Sequence, residues 1–143
     1  MENRYLFKAK RIDNGEWVEG YLIYAKKDCY VCENPYECMS EYSSLNGQSY
    51  GFGGFKLVDP FTICQCTGLK DKNGKMIWEN DIVKGKYYDN GKSHRHIGQV
   101  KYTCEAYKVV GVKQYTGYHA CLDGSYEVIG NIFDNPELLE SEG

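Results

Sequence analysis

TGLKDKNGKMIWENDIVK, residues 67–84, is the stretch whose reading decides the fold. It divides into a turn at Asp71–Gly74, a strand KMIWE, an acidic corner at Glu79 and Asn80, and a second strand that begins DIVK. Asp, Asn and Gly mark the turn because Asp bonds nearby turn amides and Asn and Gly tolerate positive φ. Branched and aromatic residues in KMIWE suit a half-buried pleated surface. A calcium loop would need oxygen ligands at alternate positions, Gly at the sixth and Glu at the twelfth. Counting from Asp71, Lys75, Met76 and Ile82 occupy the fifth, sixth and twelfth positions, so the calcium reading fails. What remains is the corner of a small β-barrel.

The same signals recur on either side. YLFKAK alternates with a period of two, DNG at Asp13–Gly15 marks a turn, and EWVEGYLIY at 16–24 is a second strand. CYVC at 29–32 fits a short strand, and the polar, Gly-bearing residues that follow have no period and are read as a long loop. Strand character returns from Phe55 through FTICQCTG at 61–68. DNG recurs at Asp89–Gly91, followed by a polar hairpin tip with His94, Arg95 and His96. GQVKYTC, AYKVVGVKQY and YEVIGNIF are three further strands, with LDG at 122–124 as another turn. Short strands separated by regular turn signals indicate a small barrel or sandwich. Asn135 and Pro136 ahead of Glu137, Leu138 and Leu139 predict one or two turns of terminal helix.

Composition agrees. The chain has 143 residues, enough to bury a core without disulfide staples. It is 15% aromatic, with 14 Tyr, and its 16 Gly against three Pro fit many tight turns. The N-terminus has no apolar run of signal-peptide length and no stretch approaches a membrane span. A cytoplasmic protein is therefore expected, with its seven Cys as free and mostly buried thiols.

Candidate chemistry is sparse. GFGGFK at 51–56 lacks the third Gly and the following helix of a dinucleotide fingerprint. Cys29 and Cys32 have zinc-like spacing and Cys38 follows, but no second close pair completes a tetrahedral set. Nothing pairs a Cys with a His. Glu79 and Asp81 suit a solvated corner or bonds to turn amides. No catalytic residue, metal or cofactor is expected, and the chain is read as a non-enzyme.

Charge is uneven. The net charge is −3, which disfavours a dedicated nucleic-acid binder. Between Lys70 and Lys101, however, eight cations face four acids. This basic segment fits either a solvated hairpin or a phosphate-binding surface.

TGLKDKNGKMIWENDIVK, followed by GQVKY and VIGNIFDNPELL, resembles the YopX family of phage and prophage proteins. FKAKRIDNGEWVEGYL and VDPFTICQCTGL fit the same family; only about Cys29–Gly54 falls outside the resemblance. The resemblance implies a small β-rich protein of unassigned biochemical function, with an SH3-like C-terminal part and no catalytic set to carry over. The family corner usually reads Glu-Gly-Asp, and Asn80 stands here in place of the Gly. Because Asn adopts positive φ, the corner is expected to survive. The family often has Gly and an aromatic residue where Cys64 and Cys66 stand, which weighs against a shared role for these thiols.

The expectation is a mainly β chain. Residues 1–57 form an N-terminal β-hairpin unit with a long irregular loop, and residues 58–143 form an SH3-like barrel with a short C-terminal helix. The two are read as separate units or one intertwined structure. The leading functional expectation is a phage accessory protein in the bacterial cytoplasm. It would bind a host or phage protein, or its own copies, through residues such as Trp17, Trp78, Glu79 and Asp81. The alternative is nucleic-acid binding through Lys84, Lys86, Lys92 and Arg95, with Tyr87 and Tyr88 as stacking residues. No membrane partner is expected.

Overall fold

The computed structural model describes residues 5–33 and 55–139. Their strands all pair antiparallel, and the chain divides into two compact units between Gln65 and Cys66.

The first unit contains β1 (Phe7–Lys10), β2 (Trp17–Ala25), β3 (Asp28–Cys32) and β4 (Phe55–Val58). The first residues of β5 (Cys64–Lys70) complete the order β4-β3-β2-β1-β5. Alternation sends Ala9, Val18, Cys29, Val31 and Val58 into one core, with Leu22 and Ile63 against it. A 3-10 turn, Pro60–Thr62, interrupts the strand expected from Phe61. Pro60 fixes φ, and the Asp59 carboxylate accepts the Phe61 N–H at 3.0 Å.

Cys29 and Cys32 lie three apart on β3 and so point to opposite faces, where they cannot pinch one ion. Cys38 and most of the expected long loop lie outside the described residues. The expectation of free, mostly buried thiols needs correction. Cys29, Cys64 and Cys66 are buried and outside any disulfide, Cys104 and Cys121 are exposed and likewise unbridged, and Cys32 is disulfide-bonded.

The second unit holds the rest of β5, β6 (Met76–Trp78), β7 (Asp81–Asp89), β8 (Lys92–Thr103), β9 (Ala106–Gly111), β10 (His119–Cys121) and β11 (Glu127–Asn131). Cys66 pairs with Trp78, and Lys70 with Met76. The remaining strands form a sheet in the order β10-β9-β8-β7-β11. Ile77, Val83, Val100, Val109, Leu122 and Tyr126 make its core. Each such side chain contributes about 1.5–3 kcal/mol by leaving water.

The decisive stretch folds as read. Asn80 takes φ +71°, and the Asp81 carboxylate accepts the Trp78 N–H at 2.9 Å. The turn between β5 and β6 is built on Asp71. Its Oδ1 accepts from the backbone N–H of Asn73 at 2.9 Å and of Lys75 at 2.8 Å. Its Oδ2 reaches the Val128 N–H at 2.9 Å, tying this turn to β11.

Two expectations are corrected. The sheet is not a closed barrel: β10 and β11 are its outer strands, and no ladder joins them among the described residues. β10 spans three residues and, among the described residues, pairs only with β9. The chain end forms a 3-10 turn, Pro136–Leu139, rather than an α-helix. The Asn135 side chain accepts the Asn131 N–H at 3.1 Å and so holds the preceding bend. Among the described residues no helix is long and apolar enough to cross a membrane.

Candidate functional site

The β7–β8 hairpin organises the candidate site. Asn90 and Gly91 take φ +52° and +77°, the signs a two-residue type I′ turn requires. This turn fixes the register, with Tyr87 opposite His94, Lys86 opposite Arg95 and Lys84 opposite Ile97. Directly paired residues share a face, so the register sorts the candidate residues onto two sides.

The inward side carries an aromatic cluster. His96 is fully buried, although its neighbours suggested a polar hairpin tip. Its Nε2 lies 3.0 Å from the Tyr118 carbonyl oxygen and its Nδ1 lies 3.0 Å from the Tyr126 Oη. A carbonyl only accepts, so Nε2 carries a proton, and in the neutral ring the Tyr126 hydroxyl then donates to Nδ1. Tyr87 stacks on His94 at 5.1 Å and on Tyr118 at 4.9 Å. Burial, then the Tyr118 phenol, raises the pKa of Tyr87. Tyr126 is held at about 12, with burial the largest cause and Asp123 next. Tyr126 lies over Gly85, where an added Cβ would come within 2.5 Å of its ring. The cluster joins the hairpin to the chain around Tyr118 and Tyr126, and Tyr87 belongs to that packing.

The outward side is basic. Lys84 and Lys86 of β7, Arg95 and Lys101 of β8, and Lys108 of β9 project from it by alternation and register. Among the described residues none of these five forms an ion pair. Glu127, opposite Lys84, is engaged by Lys72 at 3.5 Å. Tyr88, also on this side, is exposed. Lys92 sits at the hairpin end, where it pairs with Asp89 in the strand register.

A cleft of about 620 Å³ opens at one end of this side. Arg95, Lys113 and Gln114 line it together with Ile97, Tyr115 and Ile129. Leu138 of the terminal turn also contributes. The Val112 N–H donates to the Ile97 carbonyl at 3.1 Å, which brings the turn Lys113–Tyr115 alongside β8.

Within the second unit, the remaining candidate residues are not part of this surface. Trp78 and Asp81 are buried, and Asp81 serves the corner. Glu79 is half-buried beside them and contributes to the raised pKa of Tyr107, which burial first pushes up to about 12. Trp17 belongs to the first unit, where the Lys8 and Lys10 ammonium groups lie 4.6 and 5.4 Å from its ring centroid. Lys108, Lys113 and Gln114 were not singled out from sequence. Alternation in AYKVVG could have placed Lys108, whereas Lys113 and Gln114 depend on the turn after β9.

The family model described as YopX protein matches residues 6–140. The chain belongs to the YopX family. No curated protein matches this YopX chain at a significant level. Among solved structures, protein EF1440 from Enterococcus faecalis is similar at 23% identity and a TM-score of 0.50. That match covers 94% of this chain and 96% of EF1440, and it shows likeness of fold.

Proposed function

We propose that this YopX protein is a non-enzymatic phage or prophage accessory protein whose second unit binds nucleic acid on the outer side of β7, β8 and β9. The observation that carries the proposal is the gathering of Lys84, Lys86, Arg95, Lys101 and Lys108 on one side without acidic partners among the described residues. Unpaired cations at strand spacing attract phosphates and release counterions on binding. Tyr88 adds an exposed ring for a base. The net negative charge is no obstacle, because binding responds to the local field rather than to the sum over the chain.

Fluorescence anisotropy with a labelled single strand of about 20 nucleotides tests the proposal directly. Binding should be present at low salt and fall steeply between about 50 and 200 mM. Replacing Lys84, Lys86 and Arg95 together by Ala should weaken it at least tenfold while the circular dichroism spectrum is retained. Absence of binding to DNA and RNA at low salt would defeat the proposal.

A second reading, protein binding or self-association through the first unit, is supported by exposed Ile12, Leu57 and Phe61. The Ile12 N–H donates to the Leu57 carbonyl at 3.1 Å, so two of these apolar residues lie together. Such groups contribute to interfaces when a partner covers them. Light scattering of the native protein and of Phe61→Ser checks this. A monomer at every concentration, with no partner recovered by crosslinking, would remove its support.

A further inference from the structure

We infer that the cleft beside Arg95 and Lys113 is a subsite for one unstacked base of a single strand, with the adjoining phosphate held by these two cations. This rests on the nucleic-acid reading above and adds a preference that reading does not contain. The basic strands alone would grip any phosphate backbone, paired or unpaired. A cleft of about 620 Å³ lies within the size range of small-ligand pockets and offers more than a flat charged surface.

Its lining matches the two chemistries of a nucleotide. Ile97, Ile129 and Leu138 supply apolar surface suited to the flat face of a base, and Tyr115, whose ring meets the buried His96 edge-on at 6.1 Å, completes the lining. Gln114 offers a side-chain amide, both donor and acceptor, suited to a base edge. Its present contact is an exposed, long one of 3.4 Å to the Tyr115 hydroxyl, which a ligand can replace. Among the described residues Arg95 and Lys113 form no ion pair and none that lines the cleft is acidic.

Lys113 is held in place by its own turn. It takes φ +55°, a costly conformation for a side-chain-bearing residue. Its carbonyl accepts from the Thr116 N–H at 3.1 Å and hydroxyl at 2.6 Å. The cleft also continues the basic side: Arg95 lies opposite Lys86, and Ile97 opposite Lys84. A strand tracked by Lys84 and Lys86 therefore arrives at the cleft. A base inside a duplex is stacked and paired and cannot enter without being extruded, so the subsite selects single strands.

Anisotropy competition against a labelled single strand separates this inference from the reading it rests on. The competitors are the same strand, the same length with abasic sugars throughout, its duplex and a poly-glutamate peptide. The base-bearing strand should compete about tenfold better than the abasic strand or the duplex. Ile129→Trp, which fills the cleft, should abolish that preference while leaving the salt dependence intact. Gln114→Ala, at an exposed position, should reduce it and serves where Ile129→Trp does not fold. Equal competition by base-bearing and abasic strands would overturn the subsite and leave the nucleic-acid reading standing. So would a preference unchanged in both variants. Binding to poly-glutamate alone, or to no nucleic acid at all, would overturn both.

Discussion

Replacing Asp71 removes a single carboxylate that closes the β5–β6 turn and ties it to β11. Its two oxygens accept three backbone N–H groups, from Asn73, Lys75 and Val128, at 2.8 to 2.9 Å. Hydrogen bonds to an ionised acceptor contribute about 1.5–3 kcal/mol each. In Asp71→Ala the two turn amides can recover part of this from water. The half-buried Val128 N–H has no such ready substitute, and leaving it unpaired costs about 1–3 kcal/mol. The expected loss is about 3–4 kcal/mol, or a fall in Tm of roughly 10 °C for a chain of this size. Asp71→Asn keeps the shape but turns an amide N–H toward one of the donors, for a loss of about 2 kcal/mol.

The acid limb makes the test specific. Burial alone would raise this carboxyl, but the Val128, Lys75 and Asn73 amides and the Lys75 charge outweigh it, and the pKa lies below its ordinary 3.8. The unfolded chain therefore binds the proton more readily than the folded one. Stability from the ionised form is fully present above that ordinary value and is lost as the pH falls through the depressed folded value. Urea denaturation followed by Trp fluorescence should give a constant gap between native protein and Asp71→Asn from about pH 7 to about pH 5. The gap should close in stronger acid. A gap that persists unchanged below the folded pKa, or that is under about 0.5 kcal/mol at neutral pH, would refute the role of the charge.

Gly85→Ala should destabilise by about 2–3 kcal/mol in thermal unfolding, because its Cβ would meet the buried Tyr126 ring at 2.5 Å. Tyr126→Phe should cost about 1–3 kcal/mol, measured by urea denaturation, by depriving the buried His96 Nδ1 of its donor. The raised pKa of about 12 makes Tyr126 stabilising below its ordinary 10.0, with that contribution lost as the pH rises toward 12. Tyr126→Phe should accordingly show a flatter alkaline limb. In the binding experiment, about four phosphate contacts predict a log–log salt slope near −3 for single strands. Neutralising Lys84, Lys86 and Arg95 together should reduce that slope by about 2.

Where turns carry side chains with a physical reason to turn, the sequence could be read directly. The Asp71 turn, the positive φ of Asn80 and the Asn90–Gly91 hairpin all came from residues suited to those conformations. The β8–β9 turn did not, since Cys104 and Glu105 take φ +52° and +67° without any turn preference of their own. Tertiary pairing of the flanking strands imposes that conformation. The hairpin around His94 looked like a polar tip, and His94 is indeed exposed as it stacks on Tyr87, but a period of two sends His96 into the buried core and Arg95 outward. The same alternation made most of the basic side legible in Lys84, Lys86 and Arg95. The cleft was not legible, because it needs Ile129 from β11, Leu138 from the terminal turn and Lys113 from a turn with no sequence signature. The open sheet was equally hidden, since the number of strand signals does not say whether the outer strands meet.

The one-sided lysine and arginine array changes how the protein should behave on a chromatography column. Its isoelectric point of about 5.6 assigns it to anion-exchange resin at neutral pH. A resin touches one patch of a protein at a time, however, and the outer side of β7, β8 and β9 presents cations alone to an approaching sulfonate or heparin bead. The molecule should therefore be retained on both kinds of exchanger in the same buffer, held by oppositely charged residues. An early clue to its ligand would come from cell extract, where nucleic acid stripped away by a high-salt wash would shift its retention on heparin and leave its isoelectric point unchanged.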